Sequence, residues 1–104
     1  MDQYTGTKRS NILLFCAVFI DSLKTVKYWV EKGADVNVKT DEGETPLFIA
    51  AEKNSLEVVK YLVEKGADIN VKTNDGKTSL DVADSEEVKK ILSEAGGKSG
   101  EEIK

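Results

Sequence analysis

Residues 41–73 read DEGETPLFIAAEKNSLEVVKYLVEKGADINVKT, and each local signal in this stretch has a physical cause. Thr45 suits a helix N-cap, because its hydroxyl can accept one of the amides that a helix start leaves unpaired. Pro46 suits the first helical position, where its missing N–H costs nothing. Leu47, Ile49 and Ala50 then supply the buried side of a short helix. Asn54 tolerates the left-handed backbone that would close it, and Ser55 is placed to cap a second helix. Leu56, Val59, Leu62 and Val63 recur at i, i+3, i+6 and i+7, a helical stripe with charge between its members. Gly66, after Lys65, is a C-terminal stop. Asp75-Gly76 makes a turn before the next unit. The spacing predicts helix, tight turn, helix and an extended loop.

Working outward, the unit repeats. GADVNVKT begins at Gly33 and GADINVKT at Gly66, a period of 33. Residues 23–40 superpose on 56–73 with four mismatches: Lys24/Glu57, Thr25/Val58, Trp29/Leu62 and Val36/Ile69. Upstream, residues 11–20 align on 44–53 without gaps, placing Leu14 on Leu47, Phe15 on Phe48, Cys16 on Ile49 and Ala17 on Ala50. Ile12-Leu13 stands where the central unit has Thr-Pro, and Val26, Trp29 and Val30 carry the apolar stripe of the helix that follows. Downstream, Thr78 can cap a helix with Leu80, Val82 and Ala83 inward. Matching Leu92 to Leu62 gives an offset of 30, so three residues are missing between Ala83 and Glu86. Ser85 caps the last helix, with Glu86 and Glu87 at the positive end of its dipole, and Gly96 and Gly97 end it.

G-x-T-P-L at residues 43–47, Ala50-Ala51, and G-A-D-x-N at residues 66–70 resemble an ankyrin repeat, and the resemblance runs over roughly residues 11 to 96. It implies an all-α solenoid of about three stacked helix-turn-helix units joined by extended turn loops, each burying its apolar face on its neighbours. On this reading residues 1–10 are a flexible N-terminal arm or partial cap, and 11–40 a first, capping repeat. Residues 41–73 are the complete central repeat, 74–96 a shortened C-terminal capping repeat, and 97–104 a disordered tail. The resemblance also implies a non-enzymatic protein–protein interaction scaffold that meets its partner through loop tips and the concave face. Those positions fall on Lys39, Asp41, Glu42, Glu44, Glu52 and Lys53, and one repeat on at Lys72, Asn74, Asp75 and Lys77. The family usually has histidine at the position of Phe48. Here Phe15 and Phe48 are expected to stack, with Asp81 at the third equivalent position.

Composition narrows the alternatives. The chain has no histidine, which removes the usual general base and the commonest metal ligand. No catalytic, metal or cofactor site is expected. Cys16 aligns with Ile49 and Val82 and so reads as a small buried hydrophobe. One cysteine cannot form an internal disulfide, which fits a reducing, cytoplasmic setting. Gly97-Lys98-Ser99 echoes the end of a phosphate loop, but Leu92 stands where that loop needs glycine, and a helix precedes the motif rather than following it. Asp41, Glu42 and Glu44 lack the ligand number and spacing of a calcium loop and read as a solvated turn. Residues 12–20 are apolar behind Lys8 and Arg9 and imitate a signal peptide. No small-x-small cleavage site follows, and the stretch superposes on the first helix of the central repeat.

No apolar run approaches a membrane span. A net charge of −4 argues against nucleic acid as a partner. The charge is uneven, +2 over residues 1–40 and −3 in each of 41–73 and 74–104, so a protein partner with a basic or mixed-charge surface is expected. Phe19 occupies the repeat position of Glu52, and Ile20 that of Lys53, which makes Phe19 a binding candidate. A cap formed by the arm through Tyr4 is favoured over a heterologous contact and over self-association, and a monomer over a homodimer. The rival function is homo-oligomerisation or docking through the apolar first helix.

Overall fold

The computed structural model describes residues 7–102 and forms six helices with no strand among them. These are α1 (Thr7–Phe19), α2 (Leu23–Glu31), α3 (Pro46–Glu52), α4 (Leu56–Glu64), α5 (Ser79–Val82) and α6 (Glu86–Glu94). The starts follow from the capping residues. Thr45 Oγ1 accepts from the Phe48 N–H at 3.1 Å, with Pro46 as the first residue of α3. Ser22, Thr78 and Ser85 accept in the same way at α2, α5 and α6. Ser55 is a correction: its side chain makes no capping bond to α4. Ser55 is buried, and its hydroxyl does not reach an α4 amide. The second helices end alike. Gly66 is left-handed (φ 88°) and the Ala67 N–H reaches back to the Leu62 carbonyl at 3.0 Å, the bond that closes a helix through an αL residue.

The helices form two layers. The first helices stack as α1 on α3 on α5, and the second helices as α2 on α4 on α6. Leu14, Leu47, Leu62 and Leu92 are fully buried in the common core. Burying a leucine of that kind contributes about 1.5–3 kcal/mol. Asparagines tie the loops together across the repeats: Asn37 Oδ1 accepts from the Asp68 N–H at 2.7 Å, and Asn70 Oδ1 from the Lys98 N–H at 2.8 Å.

Four further expectations are corrected. First, α1 begins at Thr7, so residues 7–10 are helical rather than a flexible arm, which leaves the partial cap as the reading for them; Tyr4, the suggested capping residue, lies outside the described residues. Second, Cys16 is exposed whereas its equivalent Ile49 is buried, because α3 has α1 stacked against it and α1 has no helix ahead of it among the described residues. Third, Phe15 and Phe48 both join the core cluster but form no ring pair; the aromatic pair is Tyr28–Trp29, edge to face at 4.9 Å. Each phenyl packs instead against the aliphatic side chains of the core.

Fourth, residues 97–102 are not a disordered tail. At the offset of 30 they are the third repeat's version of residues 67–72, and they dock. The Thr78 hydroxyl donates to the Lys98 carbonyl at 2.6 Å, and the Gly100 N–H donates to Asp81 Oδ2 at 2.7 Å. Gly100 is buried so closely on the Gly76 carbonyl that no Cβ could be added there.

Asp81 thus fastens the last loop. Burial works to raise its carboxyl pKa, but the N–H groups of Thr78 and Gly100, the Thr78 hydroxyl and nearby Lys77 outweigh it and hold the value below the ordinary range. A depressed carboxyl pKa gives stability that is present above the unfolded-state value and is lost as pH falls through the folded one. Acidification below the usual carboxylate range is therefore expected to release residues 98–102 before α3 and α4 melt. An amide-proton titration by NMR checks this: the Gly100 resonance should move with the Asp81 carboxyl and should not move in Asp81→Asn.

The missing three residues come out of the first helix of the third repeat. α5 has four residues where α3 has seven. The chain leaves it at Ala83 in an extended conformation (ψ 129°), and Asn54 spans the gap. Its Oδ1 accepts from both the Asp84 and Ser85 N–H groups, at 3.0 and 2.8 Å.

Candidate functional site

Each repeat boundary carries a tight loop tip built from the same atoms. In the first, the Thr40 N–H donates to the Glu44 carbonyl, the Gly43 N–H to the Thr40 carbonyl, and the Glu44 N–H to Thr40 Oγ1. Thr73, Gly76 and Lys77 repeat all three bonds 33 residues on. The tips are also bonded to each other: the Asn74 N–H donates to the Glu42 carbonyl at 2.9 Å, and its side-chain amide to the Asp41 carbonyl at 3.0 Å. Two tips therefore stand side by side as one rigid edge, and Asn74, a binding candidate from the sequence, spends its amide on holding that edge together.

Between the tips and the first helices lies a groove of about 260 Å³ lined by Glu42, Glu44, Phe48, Glu52, Thr73, Asn74, Asp75, Lys77 and Val82. Six sequence candidates meet here: Glu42, Glu44, Glu52, Asn74, Asp75 and Lys77. Phe48, Thr73 and Val82 were not among them. Phe48 and Val82 supply an apolar floor, and the departure from the family pattern at Phe48 was the signal available for it. The rim holds four carboxylates against one lysine. Burial first, then the like charges of Glu52, Glu42 and Asp75, push the Glu44 carboxyl above its ordinary pKa. The groove is thus charged against itself, and a cation placed in it would relieve that repulsion.

The other candidates lie outside the groove. Lys39, Asp41 and Lys72 are exposed around the tips. Lys53 and Phe19 sit together at the other end of the concave side, the Lys53 ammonium 5.4 Å from the Phe19 ring centroid. Among the described residues no group of three or more histidine, cysteine, aspartate or glutamate side chains could hold a metal ion. No helix among them is long and apolar enough to cross a membrane.

Compared with known proteins, residues 13–101 match the family model described as ankyrin repeats (3 copies). No curated protein matches the chain.

Proposed function

Because the chain belongs to the ankyrin-repeat family, whose repeats are generally protein–protein interaction modules, we propose that it is a non-enzymatic scaffold whose loop tips and concave groove bind a protein bearing a basic or mixed-charge surface. One observation carries the reading: Glu42, Glu44, Glu52 and Asp75 surround an apolar floor of Phe48 and Val82. That combination suits a lysine or arginine side chain, whose aliphatic stem can lie on the floor while its cationic head meets the rim. Lys39, Asp41, Lys53, Lys72 and Lys77 flank this contact, and Asn74 fixes its geometry. Phe19, under the Lys53 ammonium, extends the contact along the concave side. The tips are already ordered by their own hydrogen bonds, so little entropy is lost in presenting them. The absence of histidine and the single cysteine support the non-enzymatic and cytoplasmic parts of the reading.

The test is capture from source-cell lysate by wild type beside a Glu42→Lys, Glu44→Lys, Glu52→Lys variant, followed by affinity measurement with the captured protein. The three positions are exposed or half-exposed, so the variant should fold. Like charges brought together at an interface cost several kcal/mol, so affinity should fall at least about a hundredfold. The wild-type association rate should fall with added salt. A partner held equally by both forms, with no salt dependence, would place the binding surface elsewhere.

A further inference from the structure

On the concave side, α1 and α3 end in opposite chemistry at one position of the repeat. Glu52, the last residue of α3, is exposed and lines the groove with Glu44 and Phe48. Phe19, the last residue of α1, stands 33 residues earlier and carries a ring that is 55% exposed. The two positions are neighbours in space. Lys53, next to Glu52 in the chain, reaches back so that its ammonium lies 5.4 Å from the Phe19 ring centroid. Because α1 packs on α3 and α3 on α5, one surface runs from Phe19 over Lys53 to Glu52 and into the groove.

Each end of this surface selects a different side chain. The groove, with Glu42, Glu44, Glu52 and Asp75 around Phe48 and Val82, favours a cation. At Phe19 the Lys53 ammonium already lies near the ring and repels a second cation, while the exposed part of the ring gains from any apolar surface laid on it. That end therefore takes an uncharged apolar or aromatic side chain. We propose that the contact is made by an extended peptide segment of a partner protein, with a lysine or arginine in the groove and a large apolar side chain on Phe19, about three residues apart. This rests on the groove binding a cation, and it adds the second anchor and the distance between the two. The distance follows from the stack: packed helices lie about 8–10 Å apart, which separates equivalent positions on α1 and α3 by the same amount. A chain in the polyproline-II conformation advances about 3.1 Å per residue and turns once in three, so side chains three apart stand on one side about 9 Å from each other. A groove of about 260 Å³ admits a side chain and a strip of backbone. A helix about 10–12 Å across would not enter it.

Random linear peptides displayed on phage and selected on the immobilised full chain test this. The selected sequences should share one lysine or arginine and one large apolar residue at a constant spacing of about three. As a free peptide, the consensus should lose affinity at least about tenfold when either residue is changed to alanine. Phe19→Ala should leave circular dichroism unchanged, since the ring is half exposed. It should weaken the consensus peptide about tenfold and should not further weaken the peptide that already lacks its apolar residue. A basic residue selected without an apolar one, an acidic residue in the apolar place, or the pair at scattered spacings overturns the proposal and leaves the groove reading standing. So does a Phe19→Ala protein that keeps the full apolar preference. No enrichment of basic residues, or no binder beyond those held by the Glu42→Lys, Glu44→Lys, Glu52→Lys variant, overturns both. Sedimentation velocity covers the other occupant: a mass of two copies of 11.4 kDa that Phe19→Ala returns to one would assign the ring to a second copy and overturn the proposal.

Discussion

Leu62→Ala is expected to remove about half or more of the protein's stability at 25 °C. Leu62 is fully buried, its carbonyl accepts the bond that closes α4, and it stands between α2 and α6 in the layer of second helices. Truncating such a leucine costs about 2–5 kcal/mol, because the lost transfer energy is joined by a cavity that the surroundings only partly fill. A solenoid has no distant core to fall back on: its stability is close to a sum of repeat terms and neighbour terms. The central repeat is the one that contributes two neighbour terms, so a defect there weakens both. Small domains hold about 5–15 kcal/mol in total, and a three-repeat array belongs near the lower end. Urea unfolding followed by circular dichroism measures the effect, with Ile91→Ala as the comparison. Ile91 is half-buried on the last repeat, beside an open groove that it lines with Glu87 and Glu94, and its truncation should cost about 1 kcal/mol. Equal midpoints for the two variants would show that stability is not concentrated in the central repeat.

Most of the fold was legible because a repeat states its packing twice. The period of 33 fixed the layers, and Thr45, Pro46, Asn54 and Gly66 marked the ends of α3 and α4 by rules that depend only on backbone chemistry. What was not legible depended on neighbours. Cys16 has the same place in its helix as Ile49, and no local rule could say that the element covering Ile49 is missing ahead of Cys16. The last loop was missed for a related reason. Residues 96–100 read GGKSG where the central repeat has GADIN, a substitution that looks like loss of structure. Their order comes from Thr78, Asp81 and Asn70, which lie about 20 to 30 residues away in sequence. The groove's carboxylates fall on positions that the sequence assigned to the loop tips and the exposed side of the first helix, whereas its floor had no such signal. Phe48 and Val82 are adjacent only because α5 stacks on α3.

The shortened repeat supplies the second large effect: Asn54→Ala should destabilise the protein by about 2–4 kcal/mol, since it loses two hydrogen bonds and keeps a strained backbone. Asn54 sits in the left-handed region at φ 56°, where alanine pays about 1–2 kcal/mol that asparagine partly avoids. Its Oδ1 is the acceptor for the Asp84 and Ser85 N–H groups, where the chain crosses from α5 to α6 without the three residues present in the central repeat. Asp84 is exposed and Ser85 half-buried, so water can compensate one of the two amides and the loss stays below the full desolvation penalty. Two further variants separate the contributions. Asn54→Gly accepts the left-handed backbone freely and so reports the lost bonds alone. Asp21→Gly is the matching control, because Asp21 shares the φ of 56° but makes no side-chain hydrogen bond to the next repeat among the described residues. If the shortened repeat hangs on Asn54, Asn54→Gly should lower the urea midpoint more than Asp21→Gly does, and the amides of Asp84 and Ser85 should exchange faster with solvent. Should Asn54→Gly prove as stable as wild type, the four residues of α5 and the loop docked on Asp81 would have to hold the third repeat on their own. In that case acidification, by protonating Asp81, would unfold the third repeat together with its loop, where an intact Asn54 contact predicts loss of the loop alone.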